Sequence, residues 1–430
     1  MIQKTLCGLP AKGDWTHLQK YSQRVKNFKY DPSEDKLIIL VLQFRGLSGP
    51  LFPRLNRFEL VKPTEGLSPF INSFLSLETT EIEITFSGDL MGRASFIRKL
   101  PKLCPKLKSI TLNGLSMDPD VTNATSEMLL ACNHNILQVL LVDSPLTKEA
   151  LKVACKLPKL TKFGTVIWGR TLLPPVVLPN LTWIDIDFDD HLDWLPGFCG
   201  AMFGKLKSVS FRSGCRQNGD FLGEFEKVVR ATPVQDTLSA FMFYTSHPWN
   251  PNYSALLSFK QLQTLEIEFN CRDGCSSTVD DDVITNIADA MPKLKVLKLG
   301  AEPCQKPGTG PTANGLIVLA THCPDLRKLR IHFHAGSLSH VAAVPSNDEQ
   351  VLKWEGCALT DLEVGSIPIA PRSEQMVIFV LLQVFPRILN ITYTNRSWKA
   401  IADGVKKFRQ VGNLVCRRGK AHHNIQYSLS

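Results

Sequence analysis

A short motif, Leu-x-x-(Leu/Ile/Val/Phe)-x-apolar, usually led by proline, recurs along nearly the whole chain, and recurrence at such a period is the signature of a solenoid. The clearest copies run Pro53-Arg54-Leu55-x-x-Phe58-x-Leu60, Pro105-Lys106-Leu107-x-x-Ile110-x-Leu112, Pro179-Asn180-Leu181-x-x-Ile184-x-Ile186, Pro292-Lys293-Leu294-x-x-Leu297-x-Leu299 and Pro324-Asp325-Leu326-x-x-Leu329-x-Ile331. Weaker copies begin at Leu137, Leu160, Leu206, Leu238, Leu262, Leu359 and Ile388, and a degraded copy is marked by Ile82 and Ile84. After Leu107 the first positions are spaced from 21 residues (Leu160 to Leu181) to 33 (Leu326 to Leu359). The short spacings match a leucine-rich repeat, and the long ones imply insertions.

Between the strand-like copies lie helical stretches that open on a polar cap. Asp280-Asp281-Asp282 before Val283, Ile284, Ile287 and Ala288 sets acids at the positive end of a helix dipole, and Thr312 to Cys323 and Thr147 to Leu157 follow the same plan. Strand, turn and helix alternating in this way predict an α/β fold, a leucine-rich-repeat solenoid bent into a horseshoe or arc, with an inner parallel sheet and outer helices. At the start, Trp15, Leu18, Tyr21, Val25 and Phe28 fall at intervals of three and four behind Asp14, which predicts an amphipathic helix covering the open end of the first repeat. The expected organisation is a capping-helix region over 1–30, the irregular solenoid over 31–394, and a closing helix (Trp398, Ile401, Val405, Phe408) with a basic tail over 395–430. Three loops, His247–Tyr253, Glu302–Pro311 and Ala335–Gln350, are rich in Pro, Gly or small polar residues, and solenoid insertions often gather on the binding side.

The net charge of +9 raises the question of nucleic acid, so its placement matters. From Asn395 onward eight cationic residues face Asp403 alone, which is +7, and the rest of the chain is nearly neutral. Such a tail reads as a solvated terminal helix; association with nucleic acid through it is the reading of a different class. No apolar signal segment opens the chain, so the twelve cysteines are expected reduced in an intracellular protein, cytoplasmic or nuclear. Several stand where a helix gives way to the next strand, as in Leu103-Cys104-Pro105 and His322-Cys323-Pro324, and are expected to pack there as small apolar groups. Cys271-x-x-x-Cys275 lacks a second pair at zinc spacing. The longest apolar runs, Leu37–Leu42 and Met376–Leu382, are far short of a membrane span, so no membrane partner is expected.

Candidate chemistry is sparse. Asp185, Asp187, Asp189, Asp190, His191 and Asp193 form the densest cluster of potential ligands, but a calcium loop starting at Asp185 would need Gly and Glu where Asp190 and Pro196 stand. His332 and His334 alternate along a strand as an isolated pair, and neither a nucleophile elbow nor a P-loop occurs. Neither catalytic residues nor cofactors nor metals are therefore assigned. Strand parity gives a different prediction, because alternate residues share a face. Trp183, Asp185 and Asp187 should face away from Ile184 and Ile186. By the same rule Met242 and Tyr244 beside Ala240, Glu266 and Glu268 beside Thr264, Lys298 beside Val296, and Lys328, Arg330 and His332 should form a protein-binding inner face, running from acidic through apolar to basic.

The His322-Cys323-Pro324-Asp325-Leu326-Arg327-Lys328-Leu329 form resembles the cysteine-containing leucine-rich repeats of F-box proteins, substrate receptors of cullin-based ubiquitin ligases. Asp14-Trp15-x-x-Leu18-x-x-Tyr21-x-x-Arg24-Val25 is similar to the helix that follows the F-box in mushroom-type fungal F-box/leucine-rich-repeat proteins. The resemblance implies a non-enzymatic receptor that presents target proteins for ubiquitin transfer by partners, a Skp-type adaptor and a cullin. The F-box itself is absent from this sequence: Leu9-Pro10 stands only a few positions ahead of Asp14. Two expectations stay open, an F-box encoded upstream or a stand-alone interaction scaffold with no ligase link.

Overall fold

In the computed structural model, residues 20–30, 49–63, 70–86, 92–115, 117–169, 178–189, 191–195, 197, 205–214, 221–230, 233–246, 251–270, 279–302, 310–332, 357–364, 369, 374–393 and 395–410 are described. They form fourteen strands: β1 (Asn27–Tyr30), β2 (Arg57–Val61), β3 (Glu81–Thr85), β4 (Ser109–Asn113), β5 (Val139–Pro145), β6 (Lys162–Ile167), β7 (Trp183–Phe188), β8 (Ser208–Ser213), β9 (Ala240–Thr245), β10 (Thr264–Asn270), β11 (Val296–Glu302), β12 (Lys328–Ile331), β13 (Asp361–Val364) and β14 (Asn390–Tyr393). The strand order follows the sequence from β1 to β14 in a parallel sheet. Helices intervene: α1 (Arg93–Leu103), α2 (Pro119–Ala131), α3 (Lys148–Ala154), α4 (Phe221–Arg230), α5 (Asp281–Ala290), α6 (Ala313–His322) and α7 (Glu374–Val384), with a further helix at 398–410. Parallel neighbours need such crossovers, since a hairpin cannot join them. The chain packs as two compact units, residues 1–211 with 228–234, and residues 212–227 with 235–430.

The motif read from the sequence is the packing rule of both units. Its first position is buried in every copy, from Leu55 and Leu107 to Leu359 and Ile388, and the two strand positions that follow are buried as far as β13. Ile391 and Tyr393 of β14 are only half-buried. The copy called degraded is a complete repeat: β3 buries Ile82 and Ile84, and Thr79 occupies the leucine position at 0% exposure. Its hydroxyl accepts from the Ser76 amide at 3.1 Å and lies 3.3 Å from the Ser76 hydroxyl, so the polar atom is satisfied where it is buried. A further repeat lies at Val25-x-x-Phe28-x-Tyr30, because β1 pairs with β2 and buries Tyr30. Phe28, expected on the face of a capping helix, is therefore a strand residue; Trp15 and Leu18 of that helix lie outside the described residues, and Tyr21 is exposed.

A main-chain device repeats with the motif. The carbonyl of the motif's second residue accepts the amides of the second and third residues of the next motif. In the first unit Lys26, Asn56, Thr80, Lys108, Gln138, Thr161 and Thr182 act in turn, and in the second Ser239, Gln263, Lys295, Arg327 and Thr360, at 2.7–3.2 Å throughout. Threonine hydroxyls at 80, 161 and 182 reinforce it by donating to the preceding carbonyl.

The helices follow their caps. Asp280 accepts from Val283 N at 2.9 Å, Thr312 from Asn314 N, Thr147 from Ala150 N, and Asp118 precedes Pro119 at the first helical position of α2. Asp281 also reaches across to α6, accepting from Thr312 N at 2.7 Å and Gly315 N at 3.1 Å, so one acid serves two helix starts. Cys104, Cys132, Cys155 and Cys323 cap the C-termini of α1, α2, α3 and α6 and are buried, as is Cys357. Burial pushes the thiols of those four caps up to about 12. At the end of the second unit, Trp398, Ile401 and Val405 of the last helix are buried, and Gly404 lets it approach Ile378 of α7. Phe408, expected in that buried set, is 62% exposed.

Among the described residues no helix is long and apolar enough to cross a membrane. Leu37–Leu42, the 335–350 loop, Cys271, Cys275, Asp190, His334 and the tail beyond 410 lie outside the described residues.

Candidate functional site

Strand parity places the predicted residues on one open face in each unit. In the second unit the core below that face is aromatic. Phe221 and Phe225 of α4 pack on Phe243 and Phe241 of β9, with ring centroids 4.8 and 5.3 Å apart. With Phe241 and Phe243 turned inward, Met242 and Tyr244 must point outward. Parallel register then lines up the neighbours. Met242, Glu266, Lys298, Arg330 and Glu363 form one rung, while Tyr244 and Glu268 are followed by Gly300 in the next.

Eight predicted residues thus come together in the second unit: Met242, Tyr244, Glu266, Glu268, Lys298, Lys328, Arg330 and His332. All but exposed Lys328 are half-buried, because they pack on one another. Lys298 sits 3.1 Å from Glu266 and 3.8 Å from Glu268. Arg330 reaches past β11 to Glu268 of β10 at 2.9 Å and contacts Glu363 of β13 at 3.5 Å. Gly300, in register with Glu268, leaves room for the neighbouring His332 ring. It holds a φ of +118°, which L side chains rarely adopt, and an added Cβ would stand 3.0 Å from the His332 ring. Tyr244 donates its hydroxyl to Glu266 at 2.7 Å, and burial together with that carboxylate pushes the phenol well above its usual range. At the outer rung, Asp361 is held below the usual carboxylate range by hydrogen bonds from Thr360 and Asn390.

The expected run from acidic to basic is therefore corrected within this unit. Lys298 and Arg330 are interleaved with Glu266, Glu268 and Glu363 as one ion-pair network. The sequence reading had placed Lys328, Arg330 and His332 at a basic end because it left Glu363 out.

Toward the carboxyl ends of these strands the face opens into a cleft of about 420 Å³, wholly in the second unit. Tyr244, Glu268, Arg330 and Arg212 line it from the open face with exposed Ser246 at its rim, whereas Phe269, Thr245 and Ser213, which also border it, are buried. Arg212 was missed by the sequence reading. The same parity would have found it, since Val209 and Phe211 of β8 are buried and Arg212 is exposed.

Trp183, Asp185 and Asp187 lie on β7 in the first unit, half-buried opposite Ile184 and Ile186. Asp185 is in register with Gly164 and, through it, with Leu141. A Cβ at Gly164 would come within 3.1 Å of the Leu141 side chain and 3.2 Å of the Asp185 carbonyl, so this glycine lets the Leu141 side chain close over the strand. Asp189 does not extend an acidic patch: it turns back to accept from Gly169 N and His191 N, fixing the loop ends. The chain matches no protein-family model, and no curated protein is significantly similar to it.

Proposed function

We propose that the protein is a leucine-rich-repeat solenoid that binds a protein target without catalysing a reaction, and that it serves as the target-recognition part of an F-box-type receptor of a cullin-based ubiquitin ligase. The observation that carries the binding role is the open face of the second unit. There, rows of half-buried polar and aromatic side chains are held in place by one another, so a partner meets them already ordered and less conformational entropy is lost on association. Paired charges of both signs give specificity through complementarity more than affinity. The ligase link is supported by the resemblance of the cysteine-containing repeats and by the burial of those cysteines at helix ends.

Affinity capture from cells that express the gene tests both parts. The expected result is a recurrent protein target lost on Lys328→Glu or, for the first unit, on Trp183→Ala, with a Skp-type adaptor and a cullin co-purifying. A target retained by both variants overturns the open-face reading. A target captured with no adaptor replaces the ligase role by a stand-alone scaffold.

A further inference from the structure

We propose that the edge of the first unit at which its strands begin docks an extended acidic segment of the partner, one whose acids recur every third residue. This rests on the protein-binding reading and gives the chemistry of a second stretch of that partner.

Parallel strands in sequential order set the turns that enter them side by side along one edge, so whatever the motif carries at a given position is stacked into a row. Before β4 the row holds Lys106 and Lys108, before β6 Lys159 and Lys162, and before β8 Lys205 and Lys207, all exposed. The five successive turns, residues 104–109, 132–139, 155–162, 178–182 and 205–208, include no Asp or Glu. Charge that nearly cancels over the sequence is therefore sorted in space. Lys106 pairs with Glu78 at 2.7 Å, and Lys205 is steadied by the neutral Asn180 amide oxygen at 3.0 Å. Among the described residues Lys108, Lys159 and Lys162 make no ion pair.

The fold does not require lysine there. The position ahead of the first leucine is Lys106, Lys159 and Lys205 in these repeats, but Asn180 before β7 and Asp325 before β12. Helix ends do not absorb the charge either. α1 and α3 finish at Cys104 and Cys155 beside these lysines, and their dipoles supply about −0.5 charge apiece, less together than three unpaired ammonium groups.

Spacing selects the ligand. The three lysine stations are two strands apart, about 9.6 Å at the usual strand separation. A polyproline-II chain turns every three residues and brings every third side chain to one side about 9.3 Å apart. Three acids at that period therefore meet three stations. No Phe, Tyr or Trp stands in the five turns to stack a base, so single-stranded nucleic acid has only its phosphates to offer. Lys162 is in register with Trp183, so the lysine edge runs into the open face and one partner can span both.

Saturation-transfer NMR on the full chain in about 0.05 M salt tests this with four probes. They are an acetylated, amidated peptide of three Glu-Pro-Pro repeats, its isomer with the three glutamates together at one end, the neutral peptide of three Gln-Pro-Pro repeats, and a thymidine tetranucleotide with three phosphates. The expected result is millimolar binding of the periodic peptide, with the other three each roughly fivefold weaker or more. Changing Lys108, Lys159 and Lys162 together to glutamine should weaken it about tenfold at an unchanged melting temperature. The same change at Lys399, Lys406 and Lys407, equal in charge but on the last helix, should leave it unaltered. Silence of the periodic peptide at roughly 10 mM, equal binding of the isomer or the neutral peptide, tighter binding of the tetranucleotide, or equal losses in the two triple variants overturns the docking edge. Target capture separates this from the broader reading. A target lost in Trp183→Ala and kept in the Lys108, Lys159 and Lys162 variant overturns the edge and spares the open face. Periodic-peptide binding that this variant abolishes, with no target captured by the parent chain, supports the edge and overturns the open face.

Discussion

Arg330 shows how much one side chain can hold on this face. Its guanidinium bridges β10 and β13, two strands back and one strand forward. Replacing it with methionine keeps much of the packing but takes the shared cation from Glu363 and leaves Glu268 only the longer contact to Lys298. The expected cost is about 1–3 kcal/mol, read as a lower urea midpoint for the second unit. Tyr244→Phe tests the neighbouring bond at about 1 kcal/mol. It also has a pH signature. The phenol is held protonated in the folded state while the unfolded phenol ionises near pH 10, so the unfolded state binds fewer protons above that pH and stability falls as pH rises. The parent should thus lose stability above about pH 10 more steeply than Tyr244→Phe; identical alkaline slopes in the two would contradict the assignment.

Repeats, and not residues, were what the sequence made legible. Buried pairs at alternate positions, led by a buried leucine three places earlier, leave a pattern that survives irregular spacing, and the caps at Asp280, Thr312 and Thr147 are local chemistry. Two elements escaped for physical reasons. Val25 and Phe28 are three apart, which fits a helix face as well as the first and fourth positions of the repeat, and only pairing with β2 decides. Thr79 escaped because its hydroxyl reads as polar in sequence, yet Ser76 satisfies it inside the core. On the candidate site, parity separates these side chains from the buried ones between them, but the reach of Arg330 past β11 to Glu268 depends on register across long insertions, which no local pattern encodes. The cysteines at helix ends are likewise testable as elements. With thiols pushed up to about 12 by burial, Cys104, Cys132, Cys155 and Cys323 should resist iodoacetamide at pH 8 in the folded protein and react after unfolding, read peptide by peptide in a mass spectrometer. Labelling of any one at the rate of a free thiol would show that its corner opens.

For the molecule as a whole, the positive charge and the binding face are separable. Deleting everything from Asn395 would remove Trp398 and Ile401 from the core along with the basic residues, so loss of binding after such a cut would report on folding. Lys399, Lys406 and Lys407 are exposed on the last helix and can be neutralised without that damage. With all three changed to glutamine, target capture should be unaffected, and a duplex DNA probe should bind parent and variant alike at background in about 0.15 M salt. A parent that binds the probe and a variant that loses it with a shallower salt dependence would move the function to the tail. The carbonyl ladder carries a last consequence within each unit. Since each turn of the chain is stitched to the next by main-chain atoms, that stitching does not draw on the identity of the outward side chains, and mutation can rewrite the face for a new partner at no more than the cost of the ion pairs and hydrogen bonds it removes.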